Sequence, residues 1–85
     1  IEDDAFVSCQ SLRTIVIPDS VTRIGNSAFF DCESLKSIKI PNSVTIIEDF
    51  AFTNCKSLKS IELPNNITSI GKCAFPEDCK ITHIG

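Results

Sequence analysis

The chain has 85 residues, enough for one small domain, with 42% hydrophobic residues, 22% charged residues and a net charge of −3. A pI of about 4.9 argues against a nucleic-acid partner, because phosphate binding needs a basic face. No apolar run approaches the roughly 18 residues of a membrane span, so we expect no membrane insertion. The chain opens on Ile1 rather than Met, so we expect a fragment whose signal peptide, if any, lies outside it.

The sequence repeats itself with a period of 23. Segments 12–18, 35–41 and 58–64 share the pattern L-x-x-I-x-I-P, with leucine at the second isoleucine of the last copy. A fixed period of this length predicts a solenoid, in which each coil buries its apolar face against its neighbours. Residues 1–85 are therefore expected to form a single solenoid domain, with three full coils and a partial coil at each end. Such a domain is expected to be part of a longer array.

A strand is predicted at the start of each coil. Around Ile38-Lys39-Ile40 apolar and polar residues alternate, which is the period of a strand with one buried face. The proline that follows is expected to end the strand, because proline has no N–H to donate. Stacked coils align these strands in a parallel sheet. The repeat predicts one buried column containing Ile15, Ile38, Ile61 and Ile84.

An extended arm and a short helix are predicted to complete each coil. Residues 21–24 fit an extended arm, and the pattern A-F-x-x-C-x-x-L at 28–35 places apolar residues three apart. This spacing predicts about two turns of helix. Because a helix is wider than a strand, the helices are expected on the convex side and the parallel sheet on the concave side. In the last coil Pro76 falls inside the predicted helix, so there we expect a late start or a loop.

These motifs resemble a known family. The L-x-x-I-x-I core, followed three residues later by Ser20, Ser43 or Asn66, resembles the leucine-rich repeat. The proline after the strand and the A-F-x-x-C-x-x-L segment resemble the BspA-like class of bacterial and protist surface proteins, over all 85 residues. The resemblance implies an α/β leucine-rich-repeat solenoid, a cell-surface or secreted location, and adhesion to host or matrix proteins. Only Asn66 keeps the asparagine that many leucine-rich repeats carry in the turn, so we expect a less uniform amide ladder.

The five cysteines do not require a disulfide scaffold. Cys9, Cys32 and Cys55 share one apolar column, where a free cysteine behaves as a small buried hydrophobe. We interpret this column as core, with a bridge between neighbouring coils as the alternative. Cys73 and Cys79 lie off the column, and the sequence leaves open whether they are bridged to each other.

We predict no catalytic activity, no metal site and no cofactor. Cys73, Cys79 and His83 give a C-x5-C-x3-H pattern, which lacks a fourth ligand and the usual spacing of a zinc site. His83 is the only histidine, and it lies near the end of the chain, so we expect no general base near Cys9 or Cys32.

The outward residues of the strands are the predicted binding surface. Arg13, Lys36 and Lys59 occupy equivalent positions and are expected to form a basic row, whereas most acidic residues fall elsewhere. This separation of charge favours an acidic protein partner, although the lysines alternatively serve only solubility. The predicted binding residues are Arg13, Thr14, Lys36, Ser37, Lys39, Lys59, Ser60 and Glu62. Val16, Thr82 and His83 are expected to point outward as well.

The sequence therefore predicts a non-catalytic protein-interaction module. The second hypothesis is a structural spacer or self-assembly element. Nothing in the chain resembles a dedicated cap, so the end coils are expected to expose sheet edges and core side chains. Such ends favour end-to-end self-association.

Overall fold

Seven short strands form two parallel sheets in the computed structural model, which describes residues 1–84. In chain order they are β1 (Thr14–Val16), β2 (Arg23–Ile24), β3 (Ser37–Lys39), β4 (Ile46–Ile47), β5 (Ser60–Pro64), β6 (Ser69–Ile70) and β7 (Lys80–Ile84). Sheet A has the order β1-β3-β5-β7, and sheet B has the order β2-β4-β6. Because the strands alternate between the two sheets along the chain, the predicted parallel-sheet solenoid is confirmed. Sheet B corresponds to the predicted extended arms.

The pairing in sheet A follows the sequence period only as far as β5. Ile15 pairs with Ile38, one full period later, but Ile61 pairs with Ile81, three positions short of a full period. The prediction that Ile84 continues the Ile61 column is therefore wrong.

The last coil is shorter because its chain lacks three positions between Phe75 and Lys80. Phe75 stacks on Phe52, one full period earlier, whereas Lys80 pairs with Ser60, which is three positions closer than a period. Pro76 lies in this shortened connection, which is a loop, one of the two outcomes predicted for this coil.

The prolines after the sheet A strands end the first two strands but not the third. β1 and β3 stop before Pro18 and Pro41, as predicted. Pro64 instead belongs to β5 and pairs with Ile84. Proline lacks only the N–H, and its carbonyl oxygen remains available to a neighbouring strand.

No helix is present in residues 1–84, so the prediction of short helices on the convex side is wrong. The segment 27–35 is a series of turns, in which the Cys32 N–H donates to the Phe29 carbonyl (3.3 Å) and the Leu35 N–H to the Cys32 carbonyl (3.1 Å). Ser27 (φ 55°) and Asp31 (φ 64°) have left-handed backbone conformations. Such residues cannot continue a right-handed helix. Apolar residues three apart therefore mark successive turns here.

The left-handed residues recur at two positions of the repeat. One position contains Asp4, Ser27, Phe50 and Cys73, and the other contains Ser8, Asp31 and Asn54. Between them, backbone N–H groups donate to the next coil over 2.7–2.8 Å, in Phe6–Ala28, Phe29–Ala51 and Phe52–Ala74. These bonds join the coils as a third ladder beside the two sheets. We call this part of the solenoid, residues 2–11, 25–34, 48–57 and 71–79, the turn side.

A ladder of aspartate and asparagine side chains, which the repeat pattern alone does not reveal, reinforces the turn side. A side-chain Oδ1 of one coil accepts a backbone N–H of the next over 2.8–3.0 Å, in Asp3–Asn26, Asn26–Asp49 and Asp49–Lys72. Gly25 allows this close approach, because a Cβ atom there would lie 2.6 Å from the Asp3 nitrogen. At the turn position of Ser20, Ser43 and Asn66, where a less uniform amide ladder is expected, the Asn66 side chain donates to the Asn42 carbonyl (2.7 Å).

The core is centred on a stack of four parallel phenylalanine rings. Their centroids are 5.1–5.6 Å apart and their planes differ by 2–6°, in the order Phe6, Phe29, Phe52 and Phe75. The two middle rings are fully buried, and the two end rings are partly exposed. At the last coil Ile70 and Ile81 are 43% and 40% exposed, so this end of the solenoid is open.

Candidate functional site

The predicted binding residues meet on the outward side of sheet A. Because Ile15, Ile38 and Ile61 point inward, their neighbours along each strand point to solvent. The parallel register aligns these neighbours in two rows. The first row is Thr14, Ser37, Ser60 and Lys80, and the second row is Val16, Lys39, Glu62 and Thr82.

A row of basic residues borders this surface where the strands begin. Arg13, Lys36 and Lys59 are all exposed, and each directly precedes a strand of sheet A. The Lys36 N–H donates to the Arg13 carbonyl (2.9 Å), so the first two lie in adjacent coils. The strand spacing of about 4.8 Å sets the interval between neighbouring members of the row. We call the two outward rows and this basic row together the sheet face.

The sheet face holds most of the basic residues that lack a carboxylate partner. Five of the chain's eight lysines and arginines lie on it, namely Arg13, Lys36, Lys39, Lys59 and Lys80. Among residues 1–84, ion pairs form only elsewhere, from Arg23 and Lys56. Of the eleven carboxylates, only Glu62 and Asp19 lie on or beside the face. The face is therefore positively charged on a chain whose net charge is negative.

A shallow groove follows the middle of the sheet face. Thr14, Val16, Ser37 and Lys39 line it, and Asn42 and Asp19 border it. Val16 is 90% exposed, the highest value among the large apolar residues that the structure describes as exposed. The groove thus offers hydroxyl groups, an ammonium group and one apolar side chain to a ligand.

The structure places all eight predicted binding residues on the sheet face, but it changes the assignment in the last strand. Thr82 pairs with Glu62 and points outward as predicted, whereas His83 pairs with Leu63, which points to the core. His83 is exposed, but it does not lie in the outward rows of the sheet face. Lys80 pairs with Ser60 and takes its place on the face. In the segment K-I-T-H-I, taking Ile81 rather than Ile84 as the inward residue predicts that Lys80 points outward.

The turn side carries most of the carboxylates. Arg23 donates to Asp3 (3.2 Å) and to Glu48 (3.1 Å), which links three successive coils. The Asn26 N–H and the Arg23 guanidinium lower the pKa of Asp3. These contacts have a structural role, because the Asp3 side chain is occupied by two donors.

The cysteines form no nucleophilic centre. Cys32 and Cys55 are buried, as predicted, and their thiols donate to the carbonyls of Phe6 and Phe29 (both 3.0 Å). Burial raises the pKa of Cys55 to about 12, so its thiol stays protonated. All five cysteines are free thiols, including Cys73 and Cys79.

Metal binding and membrane spanning find no support in the geometry. In the described part of the chain, no group of three or more His, Cys, Asp or Glu side chains is arranged to hold a metal ion. Across residues 1–84, no helix has the length and apolarity required to cross a bilayer.

The coil geometry, the two ladders of parallel strands and the L-x-x-I-x-I core define a leucine-rich-repeat solenoid. The family described as "BspA type Leucine rich repeat region (6 copies)" matches residues 1–85, so the chain belongs to the BspA-type leucine-rich-repeat family. It is similar to a leucine-rich repeat protein from Bacteroides ovatus of known structure, with 36% identity over 98% of this chain and a TM-score of 0.79. The chain spans 25% of that protein's length. No curated protein matches the chain.

Family membership indicates a role in protein interaction or as a repeat scaffold, in a class that is typically non-catalytic. Positive charge is in excess on the sheet face and negative charge on the turn side.

Proposed function

We propose that this chain is a protein-interaction module whose sheet face binds an acidic segment of a partner protein. The observation that carries the proposal is the cluster of cations on the sheet face that, among residues 1–84, have no carboxylate within 4.0 Å. A surface of one sign steers a partner of the opposite sign and fixes its orientation. The serine and threonine hydroxyls between the cations supply further hydrogen-bonding groups.

The proposal includes a location at the cell surface or in the secreted fraction, and adhesion to host or matrix proteins as the biological role. Its support is the resemblance to the BspA-like class and the 36% identity to a Bacteroides leucine-rich repeat protein. A repeat array suits this role, because stacked coils extend one surface in proportion to their number.

Binding of poly-L-glutamate tests the proposed sheet face. The variant Lys36→Glu/Lys59→Glu reverses two cations of the basic row, and we expect its affinity to fall about tenfold at low salt. The matched control Lys56→Glu/Lys72→Glu makes the same charge change on the turn side and should lose much less. Isothermal titration at several salt concentrations measures both affinity and salt dependence. Equal losses in the two variants would refute a specific face.

The open end of the solenoid supports a second candidate function, a spacer or self-assembly element. Ile70 and Ile81 are exposed at the last coil, and β7 forms an unpaired edge of sheet A. Such edges and apolar ends favour end-to-end association. Under this function Ile81→Asp would abolish association in sedimentation experiments and leave poly-L-glutamate binding unchanged. Association that survives Ile81→Asp would contradict it.

A further inference from the structure

The turn side carries an apolar patch that the proposed function does not use. Its members are Val7, Phe30 and Phe50, which we call the turn-side patch. Val7 and Phe50 are each 39% exposed, Phe30 is partly exposed, and all three lie outside the hydrophobic core and the residues packed against it. Exposed apolar side chains that cluster mark contact surfaces more often than isolated ones do.

The backbone brings the members of the turn-side patch together. One position of the repeat holds Val7, Phe30 and Thr53 in successive coils. The first two coils are joined here by a hydrogen bond from the Ser8 N–H to the Phe30 carbonyl (2.8 Å). The Thr53 N–H donates to the Phe50 carbonyl (3.3 Å), so Phe50 lies one turn away from Thr53. Phe50 is therefore the diagonal neighbour of Phe30.

Phe50 has an unusual backbone conformation for its residue type. Its φ is 60°, in the left-handed region, where the equivalent positions hold Asp4 and Ser27. A bulky residue with this conformation is an outlier, because a side chain with a Cβ atom disfavours it and only short polar residues offset the cost locally. An outlier at an exposed position is a reason to look for a function there.

The turns that carry the turn-side patch also carry carboxylates. Asp4, Asp31, Glu33 and Asp49 lie on the same turns, and the turn side as a whole holds nine of the eleven carboxylates. Its lysines are Lys56, which pairs with Glu33 (3.9 Å), and Lys72. The turn side thus combines an apolar patch with an excess of acidic residues.

The sheet face also exposes an apolar side chain, but the charges beside it are positive. Val16, 90% exposed, lies in a groove beside Lys39, and the basic row borders that groove. We infer that the turn-side patch of one copy of this chain docks on the sheet face of a second copy, with its aromatic rings over Val16 and its carboxylates near the basic row. The inference rests on the proposed function only in using the same face and its preference for acidic partners.

The size of the faces predicts a weak association. The whole molecule measures 24 by 23 Å along its two shorter axes, which sets an upper bound of about 550 Å² per copy and about 1,100 Å² in total, so the contact lies at or below the low end for specific complexes. The two docking surfaces lie on different sides of the coil, so the contact is heterologous. Further copies can therefore add to the pair head to tail.

Sedimentation velocity from about 10 μM to about 1 mM, at low salt, tests this inference. The turn-side variant is Phe30→Thr/Phe50→Ser, which introduces the residues that the neighbouring coils carry at the same positions, Thr53 and Ser27. We expect association of the 85-residue chain to weaken at least about tenfold in this variant and in Lys36→Glu/Lys59→Glu.

Two controls separate docking from general effects. Ile46→Ser removes a partly exposed apolar side chain from sheet B and introduces the residue found at Ser69, so it should associate as the parent does. Lys56→Glu/Lys72→Glu should retain association as well, since it adds negative charge only to the turn side. Circular dichroism confirms that each variant is folded.

Mixing the two defective variants gives the sharpest outcome. The turn-side variant keeps an intact sheet face, and Lys36→Glu/Lys59→Glu keeps an intact turn-side patch. The mixture should form a one-to-one complex that grows no further. A monomeric parent over the whole range, association insensitive to both variants, or no complex on mixing would each overturn the inference. Poly-L-glutamate binding is a separate readout, so failure of docking and failure of the proposed function are distinguishable.

Discussion

Replacing Phe52 by alanine removes an inner ring of the phenylalanine stack. Phe52 is fully buried and lies between Phe29 (5.1 Å) and Phe75 (5.6 Å), with both ring planes nearly parallel to its own. The substitution therefore leaves a cavity in the interior of the solenoid and interrupts the contact between its coils. Since each coil packs only against its neighbours, the damage falls on an interface that no other element replaces.

The expected loss is a large part of the stability of the domain. Burial of a phenylalanine contributes about 3–5 kcal/mol relative to alanine, and each ring pair adds about 0.5–1.5 kcal/mol. A domain of this length has a free energy of unfolding of roughly 4–13 kcal/mol. We expect Phe52→Ala to lower that free energy by about 4–6 kcal/mol and the melting temperature by at least about 15 °C.

Urea unfolding monitored by far-ultraviolet circular dichroism measures this loss, because the chain has neither tryptophan nor tyrosine for intrinsic fluorescence. Phe75→Ala is the matched control, since Phe75 is partly exposed and has one stacking partner. Its loss should be about 2 kcal/mol smaller than that of Phe52→Ala. Equal losses in the two variants would refute the argument that the continuous stack forms the core.

Two further predictions concern the thiols and the side-chain ladder. In the folded protein, Cys73 should react with a disulfide reagent near about pH 8, and Cys55 should react only on unfolding, because it is buried and its pKa is raised to about 12. Peptide mass spectrometry shows which cysteine has reacted, and equal reaction rates for Cys73 and Cys55 would contradict the burial of the Cys55 thiol. Asp49→Ala leaves the Lys72 N–H without its acceptor and should cost about 1–2 kcal/mol in urea unfolding, whereas Asp49→Asn, which matches Asn26, should cost much less. Equal costs would show that the ladder contributes no stability.

Much of the core could be predicted from spacing alone. Each coil buries the same positions against its neighbours, so a residue such as Ile38 or Phe52 has one environment that the period reveals. The parallel pairing follows from the same period, because the strand recurs at one height in every coil.

The helix prediction failed because residues three apart share a side in a helix and in a series of turns alike. The distinguishing signal was present in Asp4, Ser27, Asp31 and Asn54, which are short polar residues of the kind that accept a left-handed conformation. Phe50 obscured this signal, since aromatic residues rarely occur there. The hydrogen bonds that replace the helix run between coils, so no local pattern reports them.

The error in the last strand has a different origin. Ile81 and Ile84 are both apolar and an odd number of positions apart, so the choice between them decides which way every other residue of the strand faces. Taking Ile84 as the core residue shifts the register by three positions, so it places His83 beside Ser60, where the structure has Lys80. A three-position deletion within a turn changes the period without leaving a gap that a single sequence reveals.

Both sheets, the left-handed turns and the ladder of aspartate and asparagine side chains repeat from coil to coil, which has a consequence for how such a chain can change in length. Inserting or deleting one complete repeat unit leaves every bond between layers with an equivalent partner. A single extra residue inside a strand of the middle layer would move the pairs that follow it out of register. The molecule therefore tolerates growth by whole layers far better than it tolerates a small insertion, and surfaces of different reach can arise from one pattern without redesign of the interior.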